Sequence, residues 1–160
     1  VIEAARGAAA TAARGAGDRL LAHGWDAAQP DRADIVLVED DDALAGVVLH
    51  ALGTRGYRTR VIPDGDEAAA QLGGARPALQ APLVLLDWDL PGRDGLTVLR
   101  GLAADGRLAH TAVIMLTARA SEREVLAALD LGAADHVAKP ISLPVLMQKV
   151  RRALAPPERA

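Results

Sequence analysis

The sequence predicts an α/β fold: a doubly wound sheet of five parallel strands, order 2-1-3-4-5, with helices on both faces. Three observations lead there. Short apolar runs of strand length recur five times, separated by stretches whose apolar residues fall at helical spacing. Gly, Pro and Asp mark most of the junctions. Alternating strands and helices imply crossover connections, and right-handed crossovers leave few arrangements of a parallel sheet.

The 160 residues suit one domain of ordinary size with an appendage. Apolar residues make up 51%, enough for a core, but there is no Phe, one Tyr and two Trp. The core must therefore be aliphatic. A net charge of −3 offers no electrostatic footprint for nucleic acid. The absence of Cys excludes disulfides, thiolate catalysis and cysteine metal sites. No apolar run approaches the roughly 18 residues of a membrane span. The chain starts at Val1 with no signal-peptide pattern, so a fragment of a longer, soluble, cytoplasmic protein is expected. Only Lys139 and Lys149 among 18 basic residues are lysines. Where Arg is the habit, a Lys marks a place suited to a compact charge on a thin stem.

Residues 1–33 are Ala- and Arg-rich, carry no net charge, and are expected to be a linker or the tail of a preceding region, partly helical or disordered. The regular pattern occupies 34–155, and 156–160 form a tail. Ile35 to Val38 is the first strand. Asp41 or Asp42 caps a helix with Leu44, Val47, Val48, Ala51 and Leu52 at helical spacing, ended by Gly53 and Gly56. Tyr57 to Ile62 alternates polar and apolar, as an edge strand does. Pro63-Asp64-Gly65 turns the chain into a short helix reaching Leu72, and Gly73 to Pro82 is loop. Leu83 to Leu86 is the most apolar strand. It stops at Asp87, and Pro91-Gly92 and Asp94-Gly95 follow as turn signals. Leu96, Leu99, Leu102 and Ala103 mark the third helix. Ala112 to Leu116 is the fourth strand, ending at Thr117. Ser121 with Glu124 forms a capping box for a helix closed by Gly132. His136 to Ala138 is the fifth strand, ending at Lys139-Pro140. Ser142 caps the last helix, which tolerates Pro144 in its first turn, and Pro156-Pro157 stops it.

Four of the five strands end in a chemically pointed residue: Glu39-Asp40-Asp41-Asp42, Asp87, Thr117 and Lys139. Each alone has a bland reading, as a helix cap, a turn or a solvated charge. Together they point to one crevice, because ligands of open α/β sheets bind beyond the carboxyl ends of the strands, where the strand order reverses. Glu39, Asp40 and Asp87 should converge there, beside Thr117 and Lys139. Converging carboxylates repel unless a cation is present, and oxygen donors without His or Cys suit a hard cation such as Mg²⁺. A hydroxyl and an ammonium nearby are partners for phosphoryl oxygens. A carboxylate can itself be the nucleophile, forming an acyl phosphate.

IVLVEDDD, LVLLDWDLPGRDG, VIMLTA and GAADHVAKP, in that order, resemble the receiver (phosphoacceptor) domain of two-component response regulators, over about residues 34–155. The resemblance implies the flavodoxin-like version of the fold and a Mg²⁺-dependent phosphorelay role. In it Asp87 is the phosphoacceptor, Glu39 and Asp40 hold Mg²⁺ with it, and Asp89 adds its backbone carbonyl. Thr117 is the switch hydroxyl, and Lys139 contacts the phosphate ahead of a Pro that is often cis. The donor is a phosphohistidine on a sensor histidine kinase or phosphotransfer protein. The output domain or effector is unspecified, and a homodimer is compatible with the pattern. Such a domain catalyses its own phosphorylation and dephosphorylation rather than turning over an external substrate. His136 stands where the family usually has Tyr or Phe, and Ile141 replaces a common Phe. His136 is thus expected as a smaller switch or a partner contact. Asp89 and Arg119 are expected to pair across the mouth of the site.

Two other readings compete. Asp87-Trp88-Asp89 resembles the Asp-x-Asp motif of haloacid-dehalogenase-like phosphatases, with Thr117 and Lys139 following in the right order. There, however, the motif comes near the start and the acidic pair comes last, the reverse of this chain. A phosphorylation-independent interaction module is the other; the complete set of site residues argues against it and His136 for it.

Overall fold

A computed structural model of the chain describes residues 30–118 and 121–155. The expected tail up to residue 29, Arg119 and the Pro156-Pro157 stop lie outside the described residues. The strands of the main sheet are β1 (Ile35–Val38), β2 (Thr59–Ile62), β3 (Leu83–Asp87), β4 (Ala112–Thr117) and β5 (Asp135–Ala138). All neighbours are parallel, in the order β2-β1-β3-β4-β5. This is the predicted order, with the reversal between β1 and β3.

The helices are α1 (Asp42–Gly53), α2 (Gly65–Leu72), α3 (Gly95–Ala104), α4 (Glu122–Leu131) and α5 (Leu143–Leu154). Side chains alternate across each strand, and the two faces of the sheet meet different helices. Ile35, Leu37, Leu83 and Leu85 pack with Val48 and Leu52 of α1 and Leu146 and Val150 of α5. Val36, Val38, Val84 and Leu86 pack with Leu72 of α2, Leu99 and Leu102 of α3 and Ala128 of α4. Leu83 to Leu86 are at most 1% exposed, so β3 is covered on both faces. Each fully buried Leu or Val contributes roughly 1.5–3 kcal/mol, which is how an almost wholly aliphatic core suffices.

Each helix starts on a side-chain cap that satisfies a backbone N–H left unpaired in the first turn. Asp41 accepts from the amides of Ala43 and Leu44, Asp64 from Glu67, Asp94 from Thr97, Ser121 from Glu124 and Ser142 from Val145. Of the two candidate caps for α1, Asp41 is therefore the one used. Gly95 opens α3 in a crowded place: a Cβ there would collide with the backbone carbonyl of Asp87. The missing side chain lets α3 seat directly against the end of β3.

The structure adds detail the periodicity does not carry. Within the predicted loop Gly73–Pro82, Leu79–Gln80 forms a two-residue strand paired in parallel with Asp31–Arg32. A short 3₁₀ turn, Arg107–Ala109, follows α3. Both are too brief to show a repeat in the sequence.

Candidate functional site

The site forms because the strands end together. Val38 pairs with Leu86, so Glu39 and Asp87 leave the sheet side by side at the reversal point. Glu39 is held there by its own N–H, which donates to the Ile62 carbonyl at 3.0 Å. Asp40 follows on the exposed side. Carboxylate oxygens of Glu39, Asp40 and Asp87 all lie within 4.8 Å of one another. Across β4, Asp87 pairs with Leu116, and Thr117 with Ala138, which brings the Thr117 and Lys139 ends to the same edge. The Lys139 amide donates to the Thr117 carbonyl at 2.8 Å, and the Lys139–Pro140 bond is cis.

Glu39, Asp87 and Thr117 are each 2% exposed or less. Two buried carboxylates are costly without compensation. Lys139 supplies it: Nζ lies 2.9 Å from Glu39 Oε1 and 3.1 Å from Asp87 Oδ1. Backbone donors complete the set, Asp41 N–H to Glu39 Oε2 at 3.1 Å and Asp89 N–H to Asp87 Oδ1 at 3.3 Å. Burial and the neighbouring Glu39 charge still outweigh Lys139, and the Asp87 carboxyl is pushed up to about 6. Lys139 shifts the opposite way from what its burial favours: hydrogen bonds to Glu39 and Asp87 raise it above the ordinary lysine value. One ammonium thus serves two buried carboxylates. With Asp40 beside them, three carboxylates face one ammonium, so the cluster is two positive charges short, and its donors are all oxygen. That fits a hard divalent cation such as Mg²⁺.

His136 is paired with Met115 in the sheet and lies on the α4 side, the side of Thr117. Its side chain is 37% exposed, with Nδ1 3.9 Å from Asp135 Oδ1. Asp89 is exposed at the mouth. Its expected partner, Arg119, lies outside the described residues. Trp88 is buried in the core between the sheet, α2 and α3.

The second lysine has a supporting place that sequence reasoning did not assign. From α5, Lys149 Nζ donates to Asp135 Oδ1 at 3.0 Å and to the His136 carbonyl at 2.7 Å. Asp135 also accepts from the His136 amide at 2.8 Å. Lys149 therefore pins α5 to the strand that carries His136 and leads to Lys139. The scarcity of lysine was the available signal.

The response regulator receiver domain family model matches residues 35–151. The phosphate regulon transcriptional regulatory protein PhoB of Rhizobium meliloti is 39% identical over 120 residues, 75% of this chain and 51% of that protein. The DNA-binding response regulator MtrA of Mycolicibacterium smegmatis is 38% identical over 123 residues, 77% of this chain and 51% of that protein. The chain thus spans about half the length of these curated relatives. Among solved structures, the receiver domain of NtrX from Brucella abortus superposes with a TM-score of 0.65 at 29% identity, over 76% of this chain and 98% of that one.

Proposed function

Since this chain belongs to the response regulator receiver domain family, we propose that it takes a phosphoryl group onto Asp87 from a phosphohistidine of a sensor histidine kinase or phosphotransfer protein. The observation that carries the assignment is the placement of Asp87. It is buried at the end of the central strand, 3.1 Å from Lys139 and clustered with Glu39 and Asp40. An ionised Asp87 oxygen attacks phosphorus in line. The P–N bond of the donor breaks, and the imidazole leaves and takes up a proton. Lys139 already faces the reacting carboxylate and is placed to follow the charge onto the phosphoryl oxygens. Thr117, at the adjoining strand end, is the hydroxyl for another phosphoryl oxygen. Glu39, Asp40, Asp87 and the Asp89 carbonyl would hold Mg²⁺, whose charge offsets the repulsion between these carboxylates and an incoming phosphoryl group.

Residues 34–155 carry this chemistry; 1–33 and 156–160 flank it. The readout is proposed to be a change of protein contacts near Thr117 and His136, with effector, cytoplasmic setting and any homodimer belonging to the same proposal. Exposed Leu126 and Leu129 of α4 and Val145 of α5 supply apolar surface in that region. The phosphatase reading loses its ground, because its motif order is reversed here and the family match runs through the whole site. The test is phosphorylation of the full chain by acetyl phosphate with Mg²⁺ and with EDTA, followed by intact mass. The proposal expects one phosphoryl group, dependent on Mg²⁺. Equal labelling in EDTA would remove the metal from the account, and no labelling would favour the phosphorylation-independent module.

A further inference from the structure

At the other pole of the domain, the residues leading into β1, β2, β3 and β4 surround a cavity of about 520 Å³. Its volume is that of small-molecule sites, roughly 300–1,000 Å³. The lining is basic: Arg32, Arg58, Arg107 and His110 face it, against one carboxylate, Asp34. That carboxylate is already engaged. Its Oδ2 accepts from the Arg58 amide at 2.7 Å, its Oδ1 lies 3.3 Å from Arg58 Nη2, and these bonds hold its carboxyl below the usual range. The nearby Asp31 is likewise engaged, 2.6 Å from Arg60. Among the described residues, Arg32 and Arg107 have no ion-pair partner. Arg107 is half-buried and also lines a small slot beneath the cavity, beside Leu72, Leu79 and Leu102. A guanidinium without an ion-pair partner keeps its planar fork open to a ligand, and that fork matches phosphate oxygens in pairs.

We propose that this cavity binds a phosphorylated small molecule of nucleotide size, at the pole opposite the carboxylate cluster. Arg32 and Arg107 grip the phosphate oxygens, Arg58 and His110 add donors at the rim, and the floor at Ala81 and Thr111 receives the less polar part. Nothing in this depends on the phosphoacceptor reading.

The test titrates the full chain, in EDTA to keep the carboxylate cluster out of the signal, with ADP, inorganic pyrophosphate and adenosine. Calorimetry reads affinity, and amide NMR reads location. Expected are saturable binding of ADP and pyrophosphate, none of adenosine, and amide shifts at Arg32, Arg58, Arg107 and His110. Arg32→Gln and Arg107→Gln should each weaken binding at least about tenfold, as loss of a charge-assisted bond does. Arg32 is exposed and Arg107 half-buried, and the NMR spectrum reports directly whether each variant is folded. ADP binding tighter than pyrophosphate identifies a nucleotide; equal binding identifies a site for phosphate groups alone. Absence of saturable anion binding, unchanged affinity in both folded variants, or shifts confined to the neighbourhood of Lys139 would overturn the proposal.

Discussion

Replacing Asp87 by Asn should make the metal-free protein more stable at neutral pH. The Asp87 carboxyl titrates near 3.8 in an unstructured chain and near 6 in the fold, where burial is the largest cause. A group whose folded value is raised contributes its full stability below the unfolded value and loses it as pH climbs through the folded one. Below about pH 4 the buried acid is neutral in both states and costs nothing. Above about pH 6 it is charged in both, and the fold bears a penalty of about 3 kcal/mol at about 1.4 kcal/mol per pH unit. At pH 5 the same relation leaves about half of that penalty. Asn is isosteric, and its amide oxygen keeps the bond from the Asp89 N–H. Lys139 keeps Glu39, and its attraction for the Asp87 charge is already contained in the value near 6. The expected gain is about 3 kcal/mol at pH 7.5 and about half as much at pH 5. Urea denaturation of both proteins in EDTA at the two pH values measures it. A variant no more stable than wild type at pH 7.5, or a gain that grows toward pH 5, would refute the reasoning.

Other outcomes follow from the same geometry. Lys139→Met removes the only cation within 3.1 Å of Asp87 among the described residues; the pH midpoint of phosphorylation should rise by at least about one unit, read from rate against pH. Asp40→Ala takes away one of three clustered carboxylates, and calorimetry should give at least about tenfold weaker Mg²⁺ binding. Lys149→Met unpins α5 from β5 and should cost roughly 1–2 kcal/mol by denaturation while leaving the Mg²⁺ affinity near wild type. Gly95→Ala forces a methyl group onto the Asp87 carbonyl. It should destabilise by roughly 1–3 kcal/mol and slow phosphorylation.

Much of this was legible because the signals repeat. Five apolar runs, the helices between them and the residues at the strand ends all reinforce one topology, which the sheet order matches. Convergence of Glu39, Asp40 and Asp87 followed from topology alone, since strand ends share one edge of a parallel sheet. What escaped depends on three-dimensional partners without local periodicity. Asp31–Arg32 pairs with Leu79–Gln80 across more than forty residues of chain. Lys149 reaches back to Asp135 from a helix whose own pattern specifies only its apolar face. The basic cavity gathers single residues from separate loops, each unremarkable in its own stretch. Trp88 follows Asp87 directly in the sequence, yet it is buried in the core that Leu72, Leu99 and Leu102 share with the sheet, a placement that adjacency alone does not reveal.

The measurement closest to the central claim is the intact mass of the wild-type chain and of Asp87→Asn after incubation with Mg²⁺ and acetyl phosphate. The account predicts one added phosphoryl group on the wild type, labile as an acyl phosphate is, and none on Asp87→Asn. A phosphoryl group gained equally by Asp87→Asn would contradict it.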